Sequence, residues 1–219
     1  MPASIQDISP DVENGVKTST EITGSQTCVH QGCVVPCYPH RIGRTYVWCW
    51  GKNPYHKIAP LTFFTGPDWP CMLCTYFLIC FPSYFVLTDV CVTLGLWAIV
   101  VGAVSTSAVL ISFTLAACSD PGIIPPRDPD LDPPVAPVGG PRMSLCSHCN
   151  VLRPPGAVHC HDCKVCVLEL DHHCPWTGKC IGKRNLQYFY AFLCTLCTHL
   201  GVVMLLTVIW ISVRPNVPT

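Results

Sequence analysis

The sequence predicts an α-helical polytopic membrane protein, with three transmembrane helices and a small cytosolic two-zinc cysteine-rich domain between the second and the third. Three observations lead there. Half of the residues are hydrophobic and only 12% are charged, against about 25% in a typical soluble domain. Long apolar stretches alternate with polar ones along the chain. One of the polar stretches concentrates cysteine and histidine at metal-ligand spacing.

Residues 1–45 are polar and mixed, without a sustained period, and read as a largely disordered cytosolic arm. Cys28, Cys33 and Cys37 are irregularly spaced there and read as free thiols rather than a metal site. Residues 46–70 form a membrane-proximal segment in which Trp48, Trp50 and Trp69 suit the headgroup region. Residues 71–118 hold one charged residue, Asp89, and are too long for a single crossing of about 20 residues. They read as two helices, about Cys71–Thr88 and about Gly95–Ala117, turning near Asp89. Pro82 falls inside the first, where neighbours in lipid can satisfy the carbonyl it frees. Asp120-Pro121-Gly122 stops the second helix, and residues 119–145 form a Pro-rich linker. The cysteine-rich domain occupies 146–188. Residues 189–213 contain no Asp, Glu, Lys or Arg and form the third helix, followed by a tail at 214–219.

Basic residues set the orientation. Lys17, Arg41, Arg44, Lys52 and Lys57 precede the first helix. Arg127, Arg142, Arg153, Lys164, Lys179, Lys183 and Arg184 lie between the second and third, and the turn near Asp89 carries none. The arm and the cysteine-rich domain therefore face the cytosol. The formal net charge of +0 supplies no global field for nucleic acid.

Eighteen cysteines admit either a secreted disulfide scaffold or metal and thiol chemistry in a reducing compartment. Residues 1–60 hold no apolar run of signal-peptide length, and the chain has no Asn-x-Ser/Thr acceptor, which favours the second. From Cys146 the order is Cys146-x2-Cys149, nine residues, His159-Cys160-x2-Cys163-x2-Cys166, four residues, Asp171-His172-His173-Cys174, five residues, Cys180. With little apolar mass of its own, this segment must draw its folding energy from metal. Two closed zinc sites need eight ligands, and seven cysteines and five histidines are on offer. At least one thiol can be spare. Spacing alone does not say which, but Cys174 directly follows Asp171, His172 and His173. A histidine can take a thiol proton and a carboxylate can fix its tautomer.

The run Asp-His-His-Cys-Pro-Trp at 171–176, in this Cys/His spacing, resembles the DHHC protein S-acyltransferases (palmitoyltransferases). Asn185, Phe189 and Asp120-Pro121-Gly122 fit the same resemblance, as does the order of spans. Gly43-Arg44-x-Tyr46 and Gly66-Pro67-Asp68 loosely resemble one large eukaryotic branch. The resemblance implies one zinc on Cys146, Cys149, His159 and Cys166, and a second on Cys160, Cys163, His173 and Cys180. Cys174 would be the nucleophile, His172 its general base, and Asp171 the group that orients His172. His148 and His161 would be surface histidines. The implied reaction carries a long-chain acyl group from palmitoyl-CoA to Cys174, then to cysteines of client proteins near the cytosolic membrane surface. The bilayer is the other partner, and the resemblance leaves room for an accessory subunit. Lys179, Lys183 and Arg184 would meet CoA phosphates or anchor the third span to anionic headgroups. The implied location is the endomembrane system, Golgi or ER ahead of the plasma membrane.

Two departures stand out. The family usually has four spans and this chain has three, as expected of a fragment, a misannotated gene end or a shortened protein. Lys179 stands where the family commonly has Asn, and its side chain is expected to point to solvent. The rival readings are a zinc-stabilised membrane scaffold without turnover and a membrane RING-like ligase. The five residues between Cys174 and Cys180 argue against the second.

Overall fold

The structure, a computed structural model, describes residues 27–30, 33–36, 40–50, 61–124 and 143–213. Among the described residues, three helices are long and apolar enough to cross a membrane: α1 (Trp69–Leu94), α2 (Leu96–Cys118) and α3 (Leu186–Val213). Their lengths of 26, 23 and 28 residues exceed the roughly 20 that a hydrocarbon core needs at 1.5 Å per residue. Phe77, Phe81, Tyr84, Val104, Met204 and Val208 are exposed on their outer faces, as expected of surfaces whose solvent is lipid.

The turn between the first two helices lies at Gly95, not near Asp89. Asp89 sits inside a π-helical segment, Val86–Cys91, that continues the first helix. A lone carboxylate at the end of a span can reach water without breaking backbone hydrogen bonds. Gly95 breaks them, because its φ of 102° and ψ of 179° fit only glycine.

The helices pack around two apolar clusters. Ile79, Val109, Phe113, Ala116, Ala117 and Phe192 fill the end nearer the cysteine-rich domain. Val86, Val90, Cys91, Ala98 and Leu206 fill the other. Between them His199 is buried, with Nε2 3.0 Å from Ser83 Oγ and Nδ1 3.1 Å from Ser105 Oγ. One imidazole thus bridges all three helices in a medium that offers no water to satisfy it.

The extramembrane part is built of short strands. β1 (Thr27–His30) and β2 (Cys33–Pro36) form a hairpin. β3 (His40–Ile42), β4 (Thr45–Trp50) and β5 (Leu61–Thr65) form an antiparallel sheet. These strands occupy part of the segment expected to be a disordered arm. Cys37 and residues 1–26 lie outside the described residues, as do most of the Pro-rich linker and the tail. In the cysteine-rich domain β7 (Ser144–Cys146) pairs with β8 (Val151–Arg153), and β11 (His172–Cys174) with β12 (Lys179–Ile181). β10 (Val165–Val167) is flanked by β9 (Val158–Cys160) and by β6 (Ile123–Ile124), the strand that follows α2.

The domain's small core is partly borrowed. Ile42, Val47 and Phe64 of the preceding sheet pack with Ile123, Val165 and Val167 over Cys160, Cys163 and Cys180. The Arg44 amide donates to the Cys163 carbonyl at 2.7 Å. A segment too poor in apolar residues to fold alone is covered by a neighbour that is richer in them.

Candidate functional site

Among the described residues, two groups of four side chains could each hold a metal ion: Cys146, Cys149, His159 and Cys166, and Cys160, Cys163, His173 and Cys180. In the first, His159 Nδ1 lies 3.8, 3.1 and 3.9 Å from the sulfurs of Cys146, Cys149 and Cys166. In the second, His173 Nδ1 lies 3.6, 3.4 and 3.7 Å from those of Cys160, Cys163 and Cys180. A tetrahedral zinc, with Zn–S of about 2.3 Å and Zn–N of about 2.0 Å, sets its N and S ligands about 3.5 Å apart. The donor sets and spacings therefore fit such an ion. Hydrogen bonds from the Cys163 and Cys180 thiols hold Cys160 far below the ordinary thiol range, and the same sharing raises Cys163 and Cys180. A divalent cation is what lets all three ionise together.

Both groups are made by the same local device. Each begins with Cys-x2-Cys on a turn closed by the next residue. Asn150 (φ 54°) donates its amide to the Cys146 carbonyl at 2.8 Å, and Lys164 (φ 57°) donates to Cys160 at 2.9 Å. The pattern Cys-x2-Cys-x9-His-x6-Cys occurs twice, the second copy shifted by 14 residues and interleaved with the first. Strand alternation makes the interleaving possible, since successive side chains point to opposite faces. On β9, His159 turns to the first centre and Cys160 to the second. Cys166 lies opposite His159, and His173 lies opposite Cys180.

The same alternation isolates Cys174. His173 turns to the second centre, so its neighbours His172 and Cys174 project to the other face of β11. In the repeat Cys174 holds the place of Cys160 and opens a third turn, in which Gly178 also has positive φ (79°). The residue three beyond it is Thr177, however, not a second cysteine. Thr177 is buried and its hydroxyl donates to the Cys174 carbonyl at 3.1 Å. Cys174 belongs to neither metal group and is buried. On the same face, His172 Nδ1 lies 2.7 Å from Asp171 Oδ2, and the imidazole stands edge-on to Phe189 at 5.2 Å. A carboxylate only accepts, so Nδ1 carries the proton and Nε2 is the basic nitrogen.

Residues 141–216 match the DHHC palmitoyltransferase family. A palmitoyltransferase ZDHHC8 of Drosophila melanogaster is 36% identical over 174 residues, 74% of this chain and 18% of its own. The chain belongs to the DHHC palmitoyltransferase family. A palmitoyltransferase ERF2 of Kluyveromyces lactis is 39% identical over 48% of this chain and 35% of its own. Human palmitoyltransferase ZDHHC8 is 44% identical over 43% of this chain and 14% of its own. The DHHC chain thus spans well under half the length of these curated relatives. Its three apolar helices and the cysteine-rich cluster between the second and third make it a multi-pass membrane protein of that family.

Four details of this DHHC domain were not read from the sequence. Lys179 does not point to solvent. It is 1% exposed, its ammonium donates to the Ser119 carbonyl at the end of α2, and it lies 5.7 Å from the Phe64 ring centre. Burial lowers its pKa to about 7, and nearby Cys118 and Asp120 oppose that shift. The β11–β12 register forces this inward position, because Lys179 lies opposite buried Cys174. Its ammonium is out of reach of a phosphate arriving from solvent. Lys183 and Arg184 are exposed, but each already pairs with a carboxylate, Glu169 and Asp120 respectively. His148 and His161 are exposed and pack their rings on His159 at 4.8 and 5.0 Å. The fourth is Asp68, whose carboxylate lies 2.6 Å from His173 Nε2. No spacing rule connects residues 105 positions apart. The repeat is visible in the sequence, but the strand pairing that divides its ligands between two groups is not.

Proposed function

We propose that this protein is a zinc-stabilised protein S-palmitoyltransferase. Two structural zinc ions would be held by Cys146, Cys149, His159 and Cys166, and by Cys160, Cys163, His173 and Cys180. Cys174 carries the acyl group. The observation that carries the reading is a thiol outside both metal groups, on the strand face of an imidazole whose other nitrogen is bound by Asp171.

In the first stage His172 Nε2 takes the Cys174 proton, and the thiolate attacks the thioester carbonyl of a long-chain acyl-CoA. The carbon–sulfur bond to CoA breaks, and the departing thiolate takes the proton back from His172. In the second stage a client cysteine gives its proton to His172, attacks acyl-Cys174 and leaves the enzyme thiol restored. Each stage exchanges one thioester for another, so no ATP is consumed. Asp171 keeps the imidazole in the useful tautomer and stabilises its cation. The acyl chain lies among the spans, where each buried methylene contributes about 0.8 kcal/mol. Lys183 and Arg184 are the cations left for CoA phosphates, by exchange with Glu169 and Asp120. Clients carry cysteines close to the cytosolic face of an endomembrane or the plasma membrane.

The test is incubation with a labelled palmitoyl-CoA, followed by gel analysis with and without hydroxylamine, which cleaves thioesters. Wild type acquires a hydroxylamine-sensitive label, Cys174→Ser acquires none, and His172→Ala labels about 10²–10⁴-fold more slowly. Label unchanged by Cys174→Ser, once label on Cys71, Cys74 or Cys118 has been excluded by mapping, refutes the assignment.

A further inference from the structure

We propose that Asp68 is a positioning residue that clamps His173 from behind and makes the second metal centre the tighter of the two. This rests on the reading that both centres hold zinc.

Asp68 lies in the loop that leads into the first span, far in sequence from the cysteine-rich domain. Its place there is built by close backbone approach. A Cβ on Gly66 would overlap the Gly178 carbonyl oxygen, so only glycine lets the loop come this near. The Asp68 amide then donates to that same carbonyl at 3.2 Å. Its own carbonyl accepts the Cys71 and Met72 amides at 3.0 and 3.2 Å, which starts the helix. The side chain is left to reach outward, and Oδ2 meets His173 Nε2 at 2.6 Å.

His173 turns Nδ1 to the sulfurs of the second centre and Nε2–H to a carboxylate. A ligand imidazole held in this way is fixed in tautomer and ring angle and is a stronger donor, and loss of such a partner typically lowers metal affinity about 10–100-fold. The first centre lacks this support. His159 also turns Nδ1 to its sulfurs, but its Nε2 is buried with no hydrogen-bond partner among the described residues. The two centres share one spacing pattern and differ in what stands behind the histidine. Since His173 directly precedes Cys174, the clamp also fixes the strand that carries the nucleophile, and it does so from the first span.

The experiment follows zinc release from the full chain in detergent, with 4-(2-pyridylazo)resorcinol in excess as the chelating probe. Wild type is expected to release two equivalents in two resolved phases. Asp68→Asn keeps the size and backbone bonds of Asp68 but removes its charge, and should speed the slow equivalent alone by about 10–100-fold. Asp68→Glu restores the charge and should recover part of the difference. A single phase in wild type, no change in Asp68→Asn, or equal acceleration of both equivalents overturns the proposal. Wild type that holds no zinc overturns instead the reading on which the proposal rests, and Cys174 labelling in the same samples reports the acyl-transfer reading separately.

Discussion

Asn185→Ala tests how the cysteine-rich domain is held to the membrane helices. Asn185 is fully buried. Its Oδ1 accepts the Gly182 amide at 2.9 Å, and its Nδ2 donates to the carbonyls of Ala116 and Cys180 at 3.3 and 3.2 Å. One side chain therefore joins the end of α2, the last metal-group cysteine and the start of α3. Alanine removes all three bonds and leaves their partners without water. Each unpaired buried group costs about 1–3 kcal/mol. With partial relaxation the loss should be about 3–4 kcal/mol, or a 10²–10³-fold rise in local opening. The assay is amide hydrogen exchange in detergent across residues 180–186, under conditions where opening is pre-equilibrated. Protection there should fall by that factor, while the middle of α2 changes little. Asn185→Asp keeps the acceptor for Gly182 but turns a carboxylate oxygen toward two carbonyls, and should lose at least as much. A fall of less than threefold in Asn185→Ala would refute the claim that this amide ties the domain to the second span.

Two further outcomes follow from the same geometry. Cys149→Ser should reduce bound zinc from two equivalents to about one and lower the thermal midpoint, whereas Cys174→Ser should retain both equivalents, as metal analysis of the purified variants would show. Lys179→Met keeps the buried stem and removes the ammonium. Its thermal midpoint in detergent should equal or exceed that of wild type, because a desolvated charge offsets most of what its hydrogen bond to Ser119 contributes. Lys179→Glu should lower the midpoint sharply, since it sets a carboxylate against the terminal carbonyls of α2.

Local pattern in the sequence determined a good deal about this protein. Apolar runs longer than a bilayer crossing required helices, because no other open structure satisfies its backbone in hydrocarbon. Cysteine and histidine at ligand spacing pointed to groups that could hold metal, in a segment between Cys146 and Cys180 with little apolar mass of its own. Spacing alone left open which thiol is spare, and the two ligand groups separate only where the paired strands turn successive side chains to opposite faces. The tertiary structure decided what depends on pieces distant in the chain. The turn fell at Gly95 because backbone dihedrals, not the charge of Asp89, end a helix at the membrane edge. Lys179 went inward because its strand partner is buried Cys174 and the end of α2 supplies an acceptor. The sheet of β3–β5 covered the second centre because that centre had too little core of its own. Asp68 met His173 only because Gly66 allows one backbone to touch another, a contact that no periodicity along the chain encodes.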